Sequence, residues 1–168
     1  MIRAEDCIFC NIIERHAPAD IVYQDQHSIA FLDIYPLNPG HTLVVSKKHY
    51  ATLDEMPPEE VGLLFATVAK VMKGVKEAVG ADGINIGQSN GKAASQEVFH
   101  VHVHIIPRFS QESPGGDTFR IERSLGRKRW RSSAGRSNPR FRRDPRGFSD
   151  SVRFLGTKIG YEEVTIGL

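Results

Sequence analysis

The chain has 168 residues, of which 40% are hydrophobic and 25% are charged. This length predicts one domain with a proper core, and this composition excludes collagen-like, fully disordered and coiled-coil chains. No run approaches the roughly 18 apolar residues of a spanning helix, and the acidic start lacks an apolar signal core, so we expect a cytoplasmic protein without a membrane partner.

The formal net charge of +2 conceals two oppositely charged parts. Residues 1–117 carry 9 Lys and Arg against 15 Asp and Glu, whereas residues 118–168 carry 13 against 5. Residues 113–149 are rich in Gly, Pro, Ser and Arg and show little periodicity. We therefore expect a domain over residues 1–109 and a basic, partly irregular C-terminal extension over residues 110–168.

The N-terminal third is predicted to contain several short elements. Apolar residues at positions 8, 9, 12 and 13 predict a short helix. Strand-like runs at 21–23 and 28–32 predict a hairpin across a polar turn. After a loop marked by Pro39-Gly40, the β-branched run at 41–46 predicts the next strand.

One long helix is predicted over residues 58–79. Proline and acidic residues at 57–60 suit a first turn, and Gly80 suits the end of the helix. Apolar residues at three- and four-residue steps predict one buried stripe, which consists of Val61, Leu64, Phe65, Val68, Val71, Met72, Val75 and Val79. Strands at 84–87 and 99–106 follow, and the extension holds only weak strand candidates at 119–121, 152–155 and 161–166. The expected fold class is α+β, with a five-stranded, mainly antiparallel sheet that carries the long helix on one face and the functional site on the other.

Three alternating histidines form the most informative motif. In a strand, His100, His102 and His104 would share one face, while the intervening aliphatic residues would pack against the long helix. Buried imidazoles are costly unless they are hydrogen-bonded or ligated, and a merely exposed strand would more often use Thr, Lys or Glu. A metal site and nucleophilic or acid–base catalysis both fit. The small residues Gly91, Ala93, Ala94 and Ser95 lie between the neutral donors Asn90 and Gln96, and this stretch favours catalysis on an anionic substrate.

Cys7 and Cys10 are separated by two residues, a spacing that lets two thiolates hold one tetrahedral metal ion. A zinc site needs two more ligands. The alternative is a pair of reduced, buried thiols, because cysteine is a frequent small core residue.

The stretch from His100 to Ile106, His-Val-His-Val-His-Ile-Ile, resembles the signature of the histidine-triad (HIT) nucleotide-binding proteins. Further segments stand in that family's order, namely Ile8-Phe9-x-x-Ile12, Phe31-Leu-Asp33-Ile34, Pro39-Gly-His41, Lys47-Lys-His49 and Asn90-Gly-Lys-Ala-Ala-Ser-Gln96. The resemblance covers about residues 5–109 and leaves out the extension. It implies a HIT-like fold, a homodimer and a purine nucleotide substrate.

The resemblance also implies an activity, that of a nucleotide-binding hydrolase or nucleotidyl transferase. The substrate would be a nucleoside phosphoramidate, a phosphosulfate or a dinucleoside polyphosphate. His102 would attack the α-phosphorus to form a nucleotidyl-histidine, His104 would contact the phosphate, and His41 would support the triad by a hydrogen bond. The remaining implied contacts are Asn90 and Gln96 for the phosphate, Asp33 for the ribose, and Ile8, Phe9, Ile12, Phe31 and Ile34 for the base. Without the resemblance, Asp33 would be interpreted as a turn residue and His41 as the polar start of a strand. Glu97 stands where many close eukaryotic relatives carry a hydroxyl residue, so the resemblance does not assign the proton donor.

Relatives with the same cysteine motif imply a zinc site made by Cys7, Cys10, His49 and His100. Four protein ligands leave no open position, so this zinc would be structural; we expect no organic cofactor. Two other functions stay open. One is a metallohydrolase with catalytic zinc on the three triad histidines. The other is an RNA-binding or regulatory adaptor with a vestigial nucleotide pocket, although we favour a solvated extension over a nucleic-acid partner for the basic residues.

Overall fold

The structure is a computed structural model that describes residues 6–110. Within that range the elements are α1 (Ile8–Ile13), β1 (Ile21–Gln24), β2 (Ser28–Leu32), β3 (Thr42–Ser46), α2 (Pro58–Val79), β4 (Gly83–Gly87) and β5 (His102–Arg108). The strands form one sheet in the order β1-β2-β3-β5-β4, and every neighbouring pair is antiparallel. The predicted α+β class is confirmed. The weak strand candidates of the basic extension lie outside the described residues.

The long helix α2 has the predicted bounds. Pro58 occupies its first turn with two glutamates, and Gly80 ends it in the left-handed conformation at φ 65°. The buried stripe of α2 differs from the prediction at two positions. Phe65 is 39% exposed, and Thr67, which was not predicted to be buried, is buried. Thr67 tolerates burial because its hydroxyl donates to Asp25 Oδ2 at 2.8 Å, which ties the β1–β2 turn to the helix.

Two apolar clusters cover opposite faces of the sheet. The cluster under α2 contains Val101, which precedes β5, and Val103 and Ile105 of β5, all fully buried. On the other face α1 packs on β2 and β3, where Phe9 meets Phe31 edge-on at 5.5 Å. Burying one such side chain stabilises the fold by about 1.5–3 kcal/mol, so the two clusters hold the sheet between the helices.

The last strand is shifted along the chain from its predicted position. It runs over His102–Arg108 rather than 99–106, so His100 precedes it. The amide of His100 donates to the carbonyl of Val98 at 2.9 Å in a local turn, which removes it from the sheet ladder. Pro107 lies near the C-terminal end of β5 and has no backbone N–H to donate. It is tolerated there because the pairing of β5 with β3 stops at Ile105, so no carbonyl of β3 needs a donor at position 107.

Candidate functional site

Histidine rings from three segments meet on the α1 side of the sheet. His102 and His104 face this side along β5, with ring centroids 5.0 Å apart. The ring of His41, the residue before β3, lies 5.1 Å from that of His104. His100 lies on the same side although it precedes the strand, since Phe9 contacts both His100 and His102 edge-on. The structure thus brings His41, His102 and His104 together and places His100 on the same side of the sheet.

The hydrogen bonding of His102 leaves one ring nitrogen available for chemistry. Its Nδ1 lies 2.6 Å from the carbonyl oxygen of His100, which can only accept, so Nδ1 carries the proton. Nε2 therefore keeps its lone pair. The side chain is 8% exposed, and a lone pair with this little solvent around it is well placed to attack a bound electrophile.

His41 links the triad to the loop between β2 and β3. Its Nε2 lies 2.9 Å from Nδ1 of His104, and its Nδ1 accepts the amide N–H of Leu37 at 3.2 Å. Gly40, the residue before His41, adopts φ +83°, and a Cβ there would lie 2.7 Å from Cγ1 of Val79 on α2. The predicted support of the triad by His41 thus has a hydrogen bond to carry it.

Burial keeps these imidazoles neutral at pH 7. It lowers the pKa of His100 to about 4 and that of His104 to about 3, with neighbouring histidines adding to the effect. Burial also lowers the pKa values of His41 and His102, while the negative charge of Asp33 acts in the opposite direction. A neutral His102 retains the lone pair that a nucleophile requires.

Asp33 follows β2 and lies at the edge of the histidine cluster. Its Oδ1 accepts the amide N–H of Tyr35 at 2.8 Å, and its Oδ2 lies 3.7 Å from Nδ1 of His41. The carboxylate is partly open, with 16% of the side chain exposed. Asp33 can therefore still accept hydrogen bonds from a ligand's hydroxyl groups.

The five apolar residues expected around a base fall into two groups. Phe9, Ile12 and Phe31 are buried between α1 and the sheet. In contrast, Ile8 is 47% exposed and Ile34 is 79% exposed. Exposed aliphatic side chains beside a buried aromatic floor can cover the faces of a flat ring.

The two amides expected near the phosphate are engaged with the protein itself. Gln96 is 4% exposed; its Nε2 donates to the carbonyls of Ala51 and Val98, and its Oε1 accepts the amide N–H of Gly91 at 2.7 Å. Asn90 Oδ1 accepts the amide N–H of Leu53 at 2.7 Å. In this structure both side chains fix the loop between β4 and β5.

Cys7, Cys10, His49 and His100 form a compact cluster, with one ligand atom from each lying within 4.8 Å of the others. Cys10 Sγ lies 3.2 Å from Nδ1 of His49 and 3.5 Å from Nδ1 of His100, and Cys7 Sγ lies 3.4 Å from the latter. His100 Nε2 lies 2.7 Å from the carbonyl oxygen of Ser46, so Nε2 carries the proton and Nδ1 turns its lone pair toward the sulfurs.

These distances suit zinc. Tetrahedral bonds of about 2.3 Å to sulfur and about 2.0 Å to nitrogen place neighbouring S and N ligand atoms about 3.5 Å apart. The donor set of two thiols and two imidazoles is one that structural zinc commonly uses. Burial and the neighbouring Cys7 raise the pKa of the Cys10 thiol to about 11, and zinc binding would displace its proton.

A second group of candidate ligands, Asp33, His41 and His104, lies in the histidine cluster. Two of its nitrogens already form the His41–His104 hydrogen bond. Among residues 6–110, neither candidate group includes His102, and His100 belongs to the cysteine cluster. This separation argues against one catalytic zinc on His100, His102 and His104.

Main-chain groups were missed by the sequence analysis. The carbonyl of His100 and the amide of Leu37 set the hydrogen bonding of His102 and His41, respectively. No residue type marks such a group, because every residue except proline carries the same N–H and C=O.

A model of the HIT domain family matches residues 14–111, more than half of the chain. An uncharacterized HIT-like protein of Methanocaldococcus jannaschii is 54% identical over 61% of this chain and 79% of its own length. An adenylylsulfatase of Arabidopsis thaliana is 42% identical, over 61% of this chain and 52% of its own length. An adenosine 5′-monophosphoramidase of Schizosaccharomyces pombe is 41% identical, over 63% of this chain and 77% of its own length.

Solved structures show the same fold. A zinc-bound histidine triad family protein from Mycobacterium smegmatis matches with a TM-score of 0.67 and 32% identity, over 94% of this chain and 95% of its own. A hypothetical histidine triad nucleotide-binding protein from Sulfolobus tokodaii matches with a TM-score of 0.70 and 31% identity, over 91% of both chains. Among the described residues, neither helix has the length and apolar character needed to cross a membrane.

Proposed function

The chain belongs to the HIT family, and on that premise we propose that it is a nucleotide-binding hydrolase or nucleotidyl transferase whose nucleophile is Nε2 of His102. The substrate would be a purine-nucleoside phosphoramidate, a phosphosulfate or a dinucleoside polyphosphate. Relatives named for adenylylsulfatase and adenosine monophosphoramidase activity support this class of substrate.

The observation that carries the proposal is the 2.6 Å contact between Nδ1 of His102 and the carbonyl of His100. Because Nδ1 holds the proton, the free lone pair must be on Nε2. When Nε2 bonds to phosphorus the ring becomes cationic, and the carbonyl then accepts from a charged N–H. A hydrogen bond to a charged group is stronger than one to a neutral group, so this contact favours the intermediate over the resting state.

The reaction has two displacements. Nε2 of His102 attacks the α-phosphorus and the bond to the leaving group breaks, which gives a nucleotidyl-histidine. Water then attacks the same phosphorus, His102 leaves as a neutral imidazole, and a nucleoside monophosphate is released. For a transferase, another acceptor replaces water. In the first displacement the leaving group departs with the electron pair of the broken bond.

The other residues would bind and orient the nucleotide. His104 would contact the α-phosphate, and the partly exposed carboxylate of Asp33 would accept hydrogen bonds from the ribose hydroxyl groups. The base would pack against Phe9, with Ile8 and Ile34 contacting its faces. Gln96 and Asn90 would act on the phosphate through the loop that they fix, since positioned backbone N–H groups can bind anions.

We also propose that Cys7, Cys10, His49 and His100 hold a structural zinc ion. The fit of their ligand atoms and the zinc-bound relative support it. When bound, the ion would tie α1 to the end of β3 and to the turn before β5. We further propose a homodimer, and a domain that ends near residue 109 and is followed by the basic extension.

The test is a turnover screen over adenosine and guanosine 5′-phosphoramidates, phosphosulfates and dinucleoside polyphosphates. His102→Ala should remove turnover of every substrate found, while AMP or GMP still binds, because the other binding residues remain. Wild-type protein quenched during turnover should carry the nucleotide on His102, as read by mass spectrometry. A His102→Ala variant with near-wild-type turnover would refute the mechanism. RNA binding that survives His102→Ala but is lost without residues 118–168 would favour the adaptor function.

A further inference from the structure

The loop between β2 and β3 delivers a main-chain donor to the histidine cluster. The amide N–H of Leu37 donates to Nδ1 of His41 at 3.2 Å. The Leu37 side chain is 51% exposed, so its contact with the site is made by the backbone. His41 is 3% exposed, and a buried ring nitrogen that faces a donor must keep its lone pair.

A competing partner for the same nitrogen lies nearby. Asp33 Oδ2 is 3.7 Å from Nδ1 of His41, and a carboxylate would favour a proton there. That distance exceeds the range of a hydrogen bond, whereas the 3.2 Å contact with Leu37 lies at its upper limit. Geometry therefore favours the tautomer of His41 with the proton on Nε2.

The choice made at His41 decides the state of His104. His41 Nε2 lies 2.9 Å from His104 Nδ1, and exactly one proton can occupy this contact between two neutral rings. If His41 supplies it from Nε2, His104 Nδ1 accepts and its own proton is on Nε2. With the opposite tautomer of His41, Nδ1 of His104 must donate, and Nε2 then presents a lone pair that repels a phosphoryl oxygen.

We propose that the Leu37 main-chain amide is a positioning group that fixes the tautomers of His41 and His104, so that His104 offers Nε2–H to the phosphate. This inference rests on the proposed function only for the identity of that anion.

Several hydrogen bonds hold the loop in the required position. Asn38 Nδ2 donates to the carbonyl of Pro107 at 2.7 Å, and the carbonyl of Asn38 accepts the amide N–H of His41 at 3.0 Å. At the other end of the loop, the amide N–H of Asp33 donates to the carbonyl of His41 at 3.0 Å. These bonds leave the Leu37 amide little freedom to turn away from the ring.

The first experiment reads the tautomers directly in the full-length protein. With histidine labelled with ¹⁵N, long-range proton–nitrogen correlation spectra at pH 7.5 distinguish protonated from unprotonated ring nitrogens. We expect Nε2–H at both His41 and His104, with a coupling across the 2.9 Å contact. A proton on Nδ1 of either ring would overturn the proposal.

The second experiment removes only the donor. Incorporating the α-hydroxy analogue of leucine at position 37 replaces the amide by an ester and keeps the side chain. The tautomer ratio of His41 should shift by about fivefold or more toward Nδ1–H, as expected for the loss of one hydrogen bond, and His104 should follow. The same exchange at Leu63, an exposed leucine of α2 on the other face of the sheet, is the control and should leave both tautomers unchanged.

If the ester at position 37 leaves both tautomers as in the wild type, the proposal is wrong. AMP binding to the same samples separates this result from the proposed function. If the tautomers are as assigned but the protein binds no purine nucleotide, the positioning role of the Leu37 amide is supported and the proposed nucleotide substrate is not.

Discussion

Removing one candidate ligand of the cysteine–histidine cluster should abolish most of the increase in Tm that zinc gives to the domain. His49 lies after β3 and contacts Cys10 on α1, so the site connects elements that are far apart in sequence. His49→Ala leaves three ligands for the ion. His27→Ala deletes an exposed imidazole elsewhere and is the matched control.

The size of the effect follows from binding linkage. An ion that binds only the folded state, at a free concentration a thousandfold above its Kd, stabilises it by about 4 kcal/mol. Because the folded domain is proposed to span residues 1–109, each kcal/mol should raise the Tm by about 4 °C, so saturating zinc should raise it by about 16 °C. Differential scanning calorimetry of chelated and zinc-loaded protein measures this shift, and elemental analysis should find about one zinc per chain.

The wild type and His27→Ala should show the shift, and His49→Ala should lose most of it. Chelation should lower activity only partly, because His102 needs no metal ion to attack. If wild-type protein purified without metal shows the same Tm after zinc is added, the cluster is only a pair of thiols beside two histidines, and the zinc hypothesis is wrong.

Three other changes test the site and the loop that supports it. Asp33→Ala should weaken binding of AMP by about 1.5–3 kcal/mol and that of 2′,3′-dideoxy-AMP much less, as measured by calorimetry; equal weakening would remove Asp33 from the ribose. Gly40→Ala should destabilise the fold by about 1–3 kcal/mol, because alanine is strained at φ +83° and its Cβ would meet Val79, whereas Gly62→Ala, with nothing within 4 Å, should not destabilise it. Burial lowers the pKa of His104 to about 3, so stability should fall as pH drops below about 6.5, the ordinary pKa of histidine, since the unfolded state takes up the proton first. His104→Asn should reduce this fall in urea titrations at pH 7 and pH 4.5, and an unchanged pH dependence would contradict the burial argument.

The sequence predicted those elements whose periodicity is set by burial. The bounds of α2 followed from proline, acids and a terminal glycine, and the two faces of β5 followed from the alternation of histidine with aliphatic residues. Periodicity did not predict burial correctly where a polar contact determines which side chain is buried. Thr67 can be buried because its hydroxyl donates a hydrogen bond to Asp25. The periodicity of the helix contains no information about this partner, which lies 42 residues away in the sequence.

The site was predictable in its residue types and not in its hydrogen bonds. The spacing of Cys7 and Cys10 pointed to a metal, and the structure adds which nitrogens of His49 and His100 face the sulfurs. The resemblance predicts that Gln96 contacts the phosphate, and the structure adds that its side-chain amide is hydrogen-bonded to three main-chain groups. A side chain's partners depend on the path of the loops, which local propensity does not determine.

His100 contacts both the candidate metal cluster and His102, the proposed nucleophile, and it uses different atoms for the two contacts. Its ring faces the thiols, while its main-chain carbonyl accepts from His102. That carbonyl is also held by bonds that do not involve the ring, because the amide of His100 donates to Val98 and the next amide, that of Val101, donates to Tyr50 at 2.8 Å. Loss of zinc would free the ring without breaking these main-chain bonds, so the position of Nε2 of His102 should depend on them more than on the metal. This division would let the fold gain stability from a bound ion while the proposed attack on phosphorus needs only the neutral imidazole of His102.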